Sequence, residues 1–190
     1  MNTTEFLRRI LPATGLYVIA RLTGKGWRHQ TCDTIEEAAA YALQFDASGV
    51  PTYHACAAYR ARDVATVKPT GETWHQVRIQ KNVRALKAFW MDLDVEPGND
   101  KKFASQEEAL NALIDFCNAT SLPIPMIVNS GGGLHIYWIL DHEIQPEVWR
   151  PVADALKSLS GHHSFRSDPA VTSDPARVLR PVGTHNRKLA

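Results

Sequence analysis

The chain has 190 residues, 44% of them hydrophobic, with 21 Lys and Arg against 20 Asp and Glu for a formal charge of +1. This composition excludes a disordered polyelectrolyte and suits one large domain, or two small interlocked modules, with a real core. Cys32, Cys56 and Cys117 lack the close spacings of a zinc site or disulfide framework, which points to a reducing, intracellular setting, and Glu5, Arg8 and Arg9 interrupt the N-terminal apolar stretch, which excludes a secretory signal or membrane span.

Residues 3 to 11 read as a short amphipathic helix closed by Pro12 and Gly15. Leu16 to Leu22 has the β-branched and aromatic content of a strand. Thr34-Ile-Glu-Glu37 is a capping box, with hydroxyl and carboxylate each placed to accept the other residue's backbone N–H, and it opens a helix that stops at Gly49. Residues 52 to 60 read as a strand. Residues 61 to 82 form a polar, basic connection with a short strand at 74 to 80. Between 60 and 88 stand Arg60, Arg62, Lys68, Arg78, Lys81, Arg84 and Lys87 against only Asp63 and Glu72, a local basic surface suited to a polyanion, while residues 33 to 46 are acidic.

Ala88 to Val95 is the strongest strand, ended by the turn Pro97-Gly-Asn-Asp100. Ser105-Gln-Glu-Glu108 is a second capping box, opening a helix to about Ala119 with Leu110, Leu113, Ile114 and Cys117 on one face. Met126 to Val128 and Leu134 to Leu140 read as two strands joined by the glycine-rich turn Asn129-Ser-Gly-Gly-Gly133. Residues 146 to 160 read as a third helix, in which Pro151 requires a place in the first turn. A loop then leads to a short strand at Arg177 to Pro181. The order fits an α+β fold with helices on one face of a mainly antiparallel sheet, and the chain contains no internal repeat.

Three clusters carry chemistry. Along the strand, Trp90, Asp92, Asp94 and Glu96 share one face and Phe89, Met91, Leu93 and Val95 the other. Carboxylates at i and i+2 repel one another without a counter-cation, and such oxygen-rich sites suit Mg²⁺ or Mn²⁺. The plainer reading is an edge strand with solvated acids. Next, the glycines of Ser130-Gly-Gly-Gly133 allow a backbone to approach a phosphate, with His135 beside them as a donor; the plainer reading is a hairpin turn followed by a core histidine. Neither a Walker loop nor a dinucleotide fingerprint matches, because no Gly-Lys-Ser/Thr follows and a strand comes next. Last, the segment from Asp168 to Lys188 offers Asp168 and Asp174 as carboxylates and Arg177 and Arg180 as forked phosphate donors.

In this order the clusters resemble the archaeo-eukaryotic primase superfamily, the primase-polymerases of phages, plasmids and mobile elements. The matching residues are Trp90-Met-Asp-Leu-Asp-Val-Glu96, Ser130-Gly-Gly-Gly-Leu-His-Ile-Tyr-Trp138, and Asp168 ahead of Ala176-Arg-Val-Leu-Arg-Pro-Val-Gly-Thr184, spanning residues 84 to 188. Two departures are the spacing from Ser130 to His135, longer than the tight Ser-x-His form, and Pro181-Val-Gly-Thr184 where relatives read Leu-Pro-Gly-Thr. The resemblance implies a single primase-polymerase catalytic domain: an RRM-like catalytic module of about residues 84 to 190, with a mainly antiparallel sheet, packed against an N-terminal αβ module of about residues 1 to 83. It implies template-directed nucleotidyl transfer with two Mg²⁺ or Mn²⁺ ions on Asp92, Asp94 and a third carboxylate, Asp168 or alternatively Asp174. A ribo- or deoxyribonucleoside triphosphate would lie on Ser130, Gly132, Gly133, His135, Arg177 and Arg180. Lys81, Arg84 and Lys188 would meet single-stranded DNA template and primer. The expected setting is the cytoplasm of a bacterial host, with a fused or separate replicative helicase as companion and further sequence after residue 190. The main rival is a non-catalytic RRM-like module that stacks bases of a single strand on aromatics.

Overall fold

The computed structural model describes residues 1–67 and 69–187. Helix α1 (Thr3–Ile10) begins where Asn2 caps it, its side chain accepting the Glu5 N–H at 2.9 Å while the Glu5 carboxylate accepts the Asn2 N–H at 3.0 Å. Strand β1 (Tyr17–Thr23) turns back at Gly24-Lys25 into β2 (Gly26–Cys32), a polar strand that the sequence pattern does not announce. Helix α2 (Ile35–Ala47) and β3 (Thr52–Ala55) follow. The strand expected over 52 to 60 is two strands, because after β3 the chain leaves the first sheet and β4 (Ala58–Tyr59) joins the second. The basic connection then folds into the hairpin of β5 (Val64–Val67) and β6 (Thr73–Gln76), and a 3-10 turn at Gln80–Asn82 leads into β7 (Val83–Asp94). After it come α3 (Gln106–Thr120), β8 (Met126–Asn129), β9 (Gly133–Ile144), α4 (Pro146–His162), α5 (Pro169–Thr172) and β10 (Val178–Leu179).

Two four-stranded antiparallel sheets result, ordered β10-β3-β1-β2 and β4-β7-β9-β8. The α+β class with mainly antiparallel sheet is therefore as expected. Each sheet takes an outer strand from the far part of the chain: β10 completes the first and β4 the second. Helix α1 lies between them, with Phe6 edge-on to His54 of β3 at 5.3 Å and to Tyr137 of β9 at 5.6 Å. Helix α2 covers the face of the first sheet that carries Arg21, whose guanidinium lies 4.3 Å from the Phe45 ring centre. By alternation Ala20 and Leu22 point to the other face, with their cross-strand neighbours His29, Trp27 and Tyr53.

In the second sheet both faces of β7 are covered. Met91 and Leu93 are buried, and so is Trp90, whose indole N–H donates to Val171 of α5 at 2.9 Å. Trp149 of α4 packs on Trp90 at 4.9 Å and donates to the Ala88 carbonyl at 2.9 Å. Only the acidic end of the expected Trp90–Glu96 face thus reaches solvent.

Local expectations need three corrections. In both capping boxes the hydroxyl caps as expected, but the glutamate accepts one residue further out, Glu37 from Asp33 and Glu108 from Ala104. Helix α3 buries Ala109, Leu113, Phe116 and Cys117, leaving Leu110 and Ile114 partly exposed, because Phe116 turns inward to stack on Phe165 at 4.5 Å. Pro151 lies in the second turn of α4, not the first, on its solvent side, where a missing N–H removes one rung of the ladder without burying a polar group. No helix among the described residues is long and apolar enough to cross a membrane.

Candidate active site

The pairing of β7 with β9 sets Asp92 opposite His135 and Asp94 opposite Gly133. That register demands glycine. Gly133 has φ +156°, and a Cβ on it would stand 2.1 Å from the Leu93 carbonyl oxygen and 3.1 Å from the Asp94 Cα. The turn before it is tied internally: the Ser130 N–H donates to Gly133 O at 3.0 Å, the Gly131 N–H to Asn129 Oδ1 at 2.8 Å, and the Val95 N–H to Gly132 O at 3.0 Å. The Ser130 and Gly131 N–H groups are therefore already engaged; Gly133 serves the close crossing of strands, whereas a Cβ on Gly131, at φ +84°, would stand 2.8 Å from the Asn186 Cβ.

A cleft of about 590 Å³ opens between the two sheets. The second sheet lines it with Asp92, Asp94, Ser130, Gly132 and His135, and the segment through β10 with Arg177 and Arg180. Of the residues expected to act together, the fold brings these seven to one space, while Gly133 and Asp168 do not line it. The Asp92 side chain is 20% exposed, with Oδ1 3.7 Å from His135 Nε2; that of Asp94 is 50% exposed and lies 3.6 Å from Lys102 Nζ, which also binds Glu96 at 2.8 Å. Burial, reinforced by the guanidinium groups of Arg180 and Arg177, pushes the His135 pKa down to about 3, so its imidazole is neutral near pH 7. Arg180 is buried and fixed, donating to His185 O at 2.8 Å and to Asn186 Oδ1 at 3.1 Å while lying 5.0 Å from the Tyr53 ring centre. His135 Nδ1, Arg177 Nε and Arg180 Nε are buried without a protein partner.

The candidate third carboxylates are placed differently. Asp168 adjoins the site through its backbone, its N–H donating to Asp92 O at 3.1 Å, but its carboxylate caps α5 through the Ala170 N–H at 2.8 Å and lies 3.8 Å from Arg177 Nη2. Asp174 shapes the loop, accepting the Ala176 N–H at 3.0 Å through its side chain and the Arg177 N–H at 3.1 Å through its carbonyl. Neither lines the cleft. Among the described residues no group of three or more His, Cys, Asp or Glu is placed to hold a metal ion. Asp92 and Asp94 nonetheless present hard oxygen donors to one space, which fits Mg²⁺ or Mn²⁺ completed by water and phosphate oxygens.

Lys81 and Arg84, two of the residues expected to meet nucleic acid, do not line the cleft. Arg84 donates to Thr14 O at 2.7 Å and pairs with Glu143 at 3.0 Å, near the start of β7 and roughly 26 Å along the strand from Asp92 at about 3.3 Å per residue. Lys81 is exposed and donates to Ala65 O at 3.2 Å in the β5–β6 hairpin. Lys188 lies outside the described residues.

Among the lining residues, Trp27, Tyr53 and Lys102 carry no role in the sequence reading, and Arg78 enters it only as part of the basic stretch. Arg78 is pinned by the Ala176 carbonyl at 2.7 Å and by His29 Nε2 at 3.1 Å. Burial and Arg78 push the His29 pKa down to about 4, so its ring is a neutral acceptor. Arg78 had a signal in the basic stretch, whereas Trp27 sits in the strand that was not anticipated. The cysteines are all free and buried.

No protein-family model matches the chain, and no curated protein matches its sequence. Among solved structures, the AEP domain of the primase-polymerase of cyanophage S-2L has a TM-score of 0.58 at 15% identity, covering 93% of this chain and 76% of that one. Primase RepB′ has a TM-score of 0.53 at 15% identity over 98% of this chain and 52% of that one, so the chain spans about half of that protein's length. The fold is that of the archaeo-eukaryotic primase-polymerases.

Proposed function

We propose that this primase-polymerase fold serves template-directed nucleotidyl transfer, making or extending a DNA strand from nucleoside triphosphates with Mg²⁺ or Mn²⁺. One observation carries the reading: the carboxylates of β7 and the guanidinium groups of the β10 segment, far apart in the chain, line a single cleft between the sheets. Asp92 and Asp94 would hold two divalent ions, which when bound activate a 3′ hydroxyl and stabilise the leaving pyrophosphate.

The chain's own residues then divide the work. Arg177 and Arg180 bind the triphosphate, and Arg180, already tethered, keeps its fork oriented before the substrate arrives. His135, neutral, donates one ring N–H without adding charge, and the Ser130 hydroxyl is a further donor at the cleft wall. To serve as third carboxylate, Asp168 would have to leave both Arg177 and the α5 cap at the Ala170 N–H and turn into the cleft. Lys81 and its basic neighbours take phosphates of a single-stranded template, so binding weakens as salt rises. A replicative helicase, fused or separate, is the companion such an activity calls for.

The decisive assay supplies single-stranded DNA, labelled nucleotides and Mg²⁺ or Mn²⁺. Asp92→Asn/Asp94→Asn should reduce incorporation by about 100- to 1,000-fold or more, the scale of losing charge stabilisation in a catalytic site. Incorporation equal to the parent chain's rules the assignment out. The pairing of Lys102 with Asp94 favours a second reading, a non-catalytic single-strand binder, which predicts binding that metal leaves unchanged.

A further inference from the structure

We infer that Trp27 is a nucleobase-stacking residue, braced by Tyr53 and Arg78 on the first-sheet wall of the cleft. The inference rests on reading the cleft as a nucleotide site, and adds to it the place where a base lies.

Trp27 is 40% exposed on a strand whose next three residues are Arg, His and Gln, and it lines the cleft that Asp92 and Asp94 line from the other sheet. What distinguishes it from an ordinary exposed side chain is that its open part lines the cleft, next to Tyr53 and Arg78. Its surroundings hold it in place: it pairs across the sheet with Leu22, meets Tyr53 edge-to-face at 5.2 Å and 65°, and has the Arg78 guanidinium 5.8 Å from its ring centre. Arg78 is itself fixed by His29 and Ala176, so the ring pays little ordering entropy on binding.

The face is also the right one. Helix α2 covers the opposite side of the first sheet, leaving Trp27, His29 and Tyr53 on its open side, the arrangement in which sheet aromatics stack bases. The second sheet cannot do this with Trp90 or Tyr137, which are fully buried. Arg180 joins the two ends of the cleft, lying against Tyr53 and lining the same space as His135. A triphosphate on Arg177 and Arg180 would therefore have an aromatic wall within the same space. The ligand chemistry is a nucleobase, borne either by the incoming nucleotide or by the template strand.

Four probes separate these cases: dATP, inorganic triphosphate, an oligo-dT strand, and an abasic strand of equal length. Their affinities are measured for the parent chain, Trp27→Ala and Trp27→Phe. Trp27→Ala should weaken dATP or oligo-dT by about 5- to 150-fold, the factor corresponding to about 1–3 kcal/mol of stacking, and leave the base-free probes unchanged. Trp27→Phe should restore most of the loss, and the ligand affected identifies the source of the base. Equal affinity of all three proteins for both base-bearing probes overturns the inference, as does an equal loss on the base-free probes. Nucleotide incorporation by the parent chain without Trp27-dependent binding defeats only the inference. Trp27-dependent binding without incorporation defeats only the proposed transfer reaction.

Discussion

His54 is wholly enclosed between the sheets, edge-on to Phe6, with Cys56 Sγ 3.9 Å from Nε2 and Nδ1 lacking a partner. Burial, with His135 nearby, pushes its pKa from 6.5 down to about 3. As pH falls below 6.5 the unfolded chain takes up a proton here while the folded one does not. The stability tied to a neutral His54 is thus complete above pH 6.5 and is lost toward pH 3, by about 1.4 kcal/mol per pH unit at most. Thermal melts at pH 7.5, 6 and 5 should show this decline, to which His135 and His29, also lowered, contribute, and His54→Asn should make it shallower; an unchanged slope in the variant would assign the loss to those two. Asp46 shows the opposite balance. Burial alone would raise its pKa, but the His185 N–H at 2.8 Å, the His185 ring at 2.7 Å and Arg187 at 3.5 Å outweigh burial and hold it below the usual carboxylate range. Through His185 it anchors the loop that carries Asn186 and hence Arg180. In the sequence Asp46 is one more acid of an acidic stretch. Its partner lies 139 residues away, and no local spacing signals such a pair.

Among the elements, the β7–β9 crossing sets the geometry of the site. Gly133→Ala forces a Cβ into the Leu93 carbonyl and must push the strands apart beside Asp94. We expect a loss of about 3 kcal/mol or more in urea unfolding, comparable to the larger effects of single substitutions, together with loss of the Asp92–His135 register. A variant as stable as the parent would show that the crossing is more compliant than its contacts indicate. This part of the site was legible because its signals are local: alternating apolar residues around Asp92 and Asp94, then turn glycines before His135. Strand β2 was not, because Gly26-Trp-Arg-His-Gln-Thr-Cys32 lies mostly exposed and shows no apolar alternation. With β2 unread, Trp27 had no assigned surface. The inward face of α3 was misjudged for a related reason, since Phe116 answers to Phe165 from a distant loop.

At the scale of the molecule, the first sheet is closed by a strand from near the end of the chain. Val178 pairs with Ala55, Leu179 with His54, and the Cys56 N–H donates to Arg177 O at 2.9 Å. A chain ending at Asp174 should therefore lose more than its last residues. Hydrogen exchange is expected to show the β3 amides unprotected in that truncation, whereas protection equal to the full chain's would mean that the first sheet is self-sufficient. The general α+β class could be read from element order, but this exchange of outer strands could not, because two-residue strands such as β4 and β10 carry too little pattern to name a partner.

The same exchange bears on synthesis. Between Ala55 and its partner Val178 the ribosome must add 123 residues, which at about 5–20 residues per second takes about 6–25 s. Throughout that interval the open edge of β3 has no neighbour and is exposed to mispairing. The strand that finally covers it brings Arg177 and Arg180 on its flanks, so the nascent chain gains these two arginines of the cleft wall in the same event that completes its first sheet.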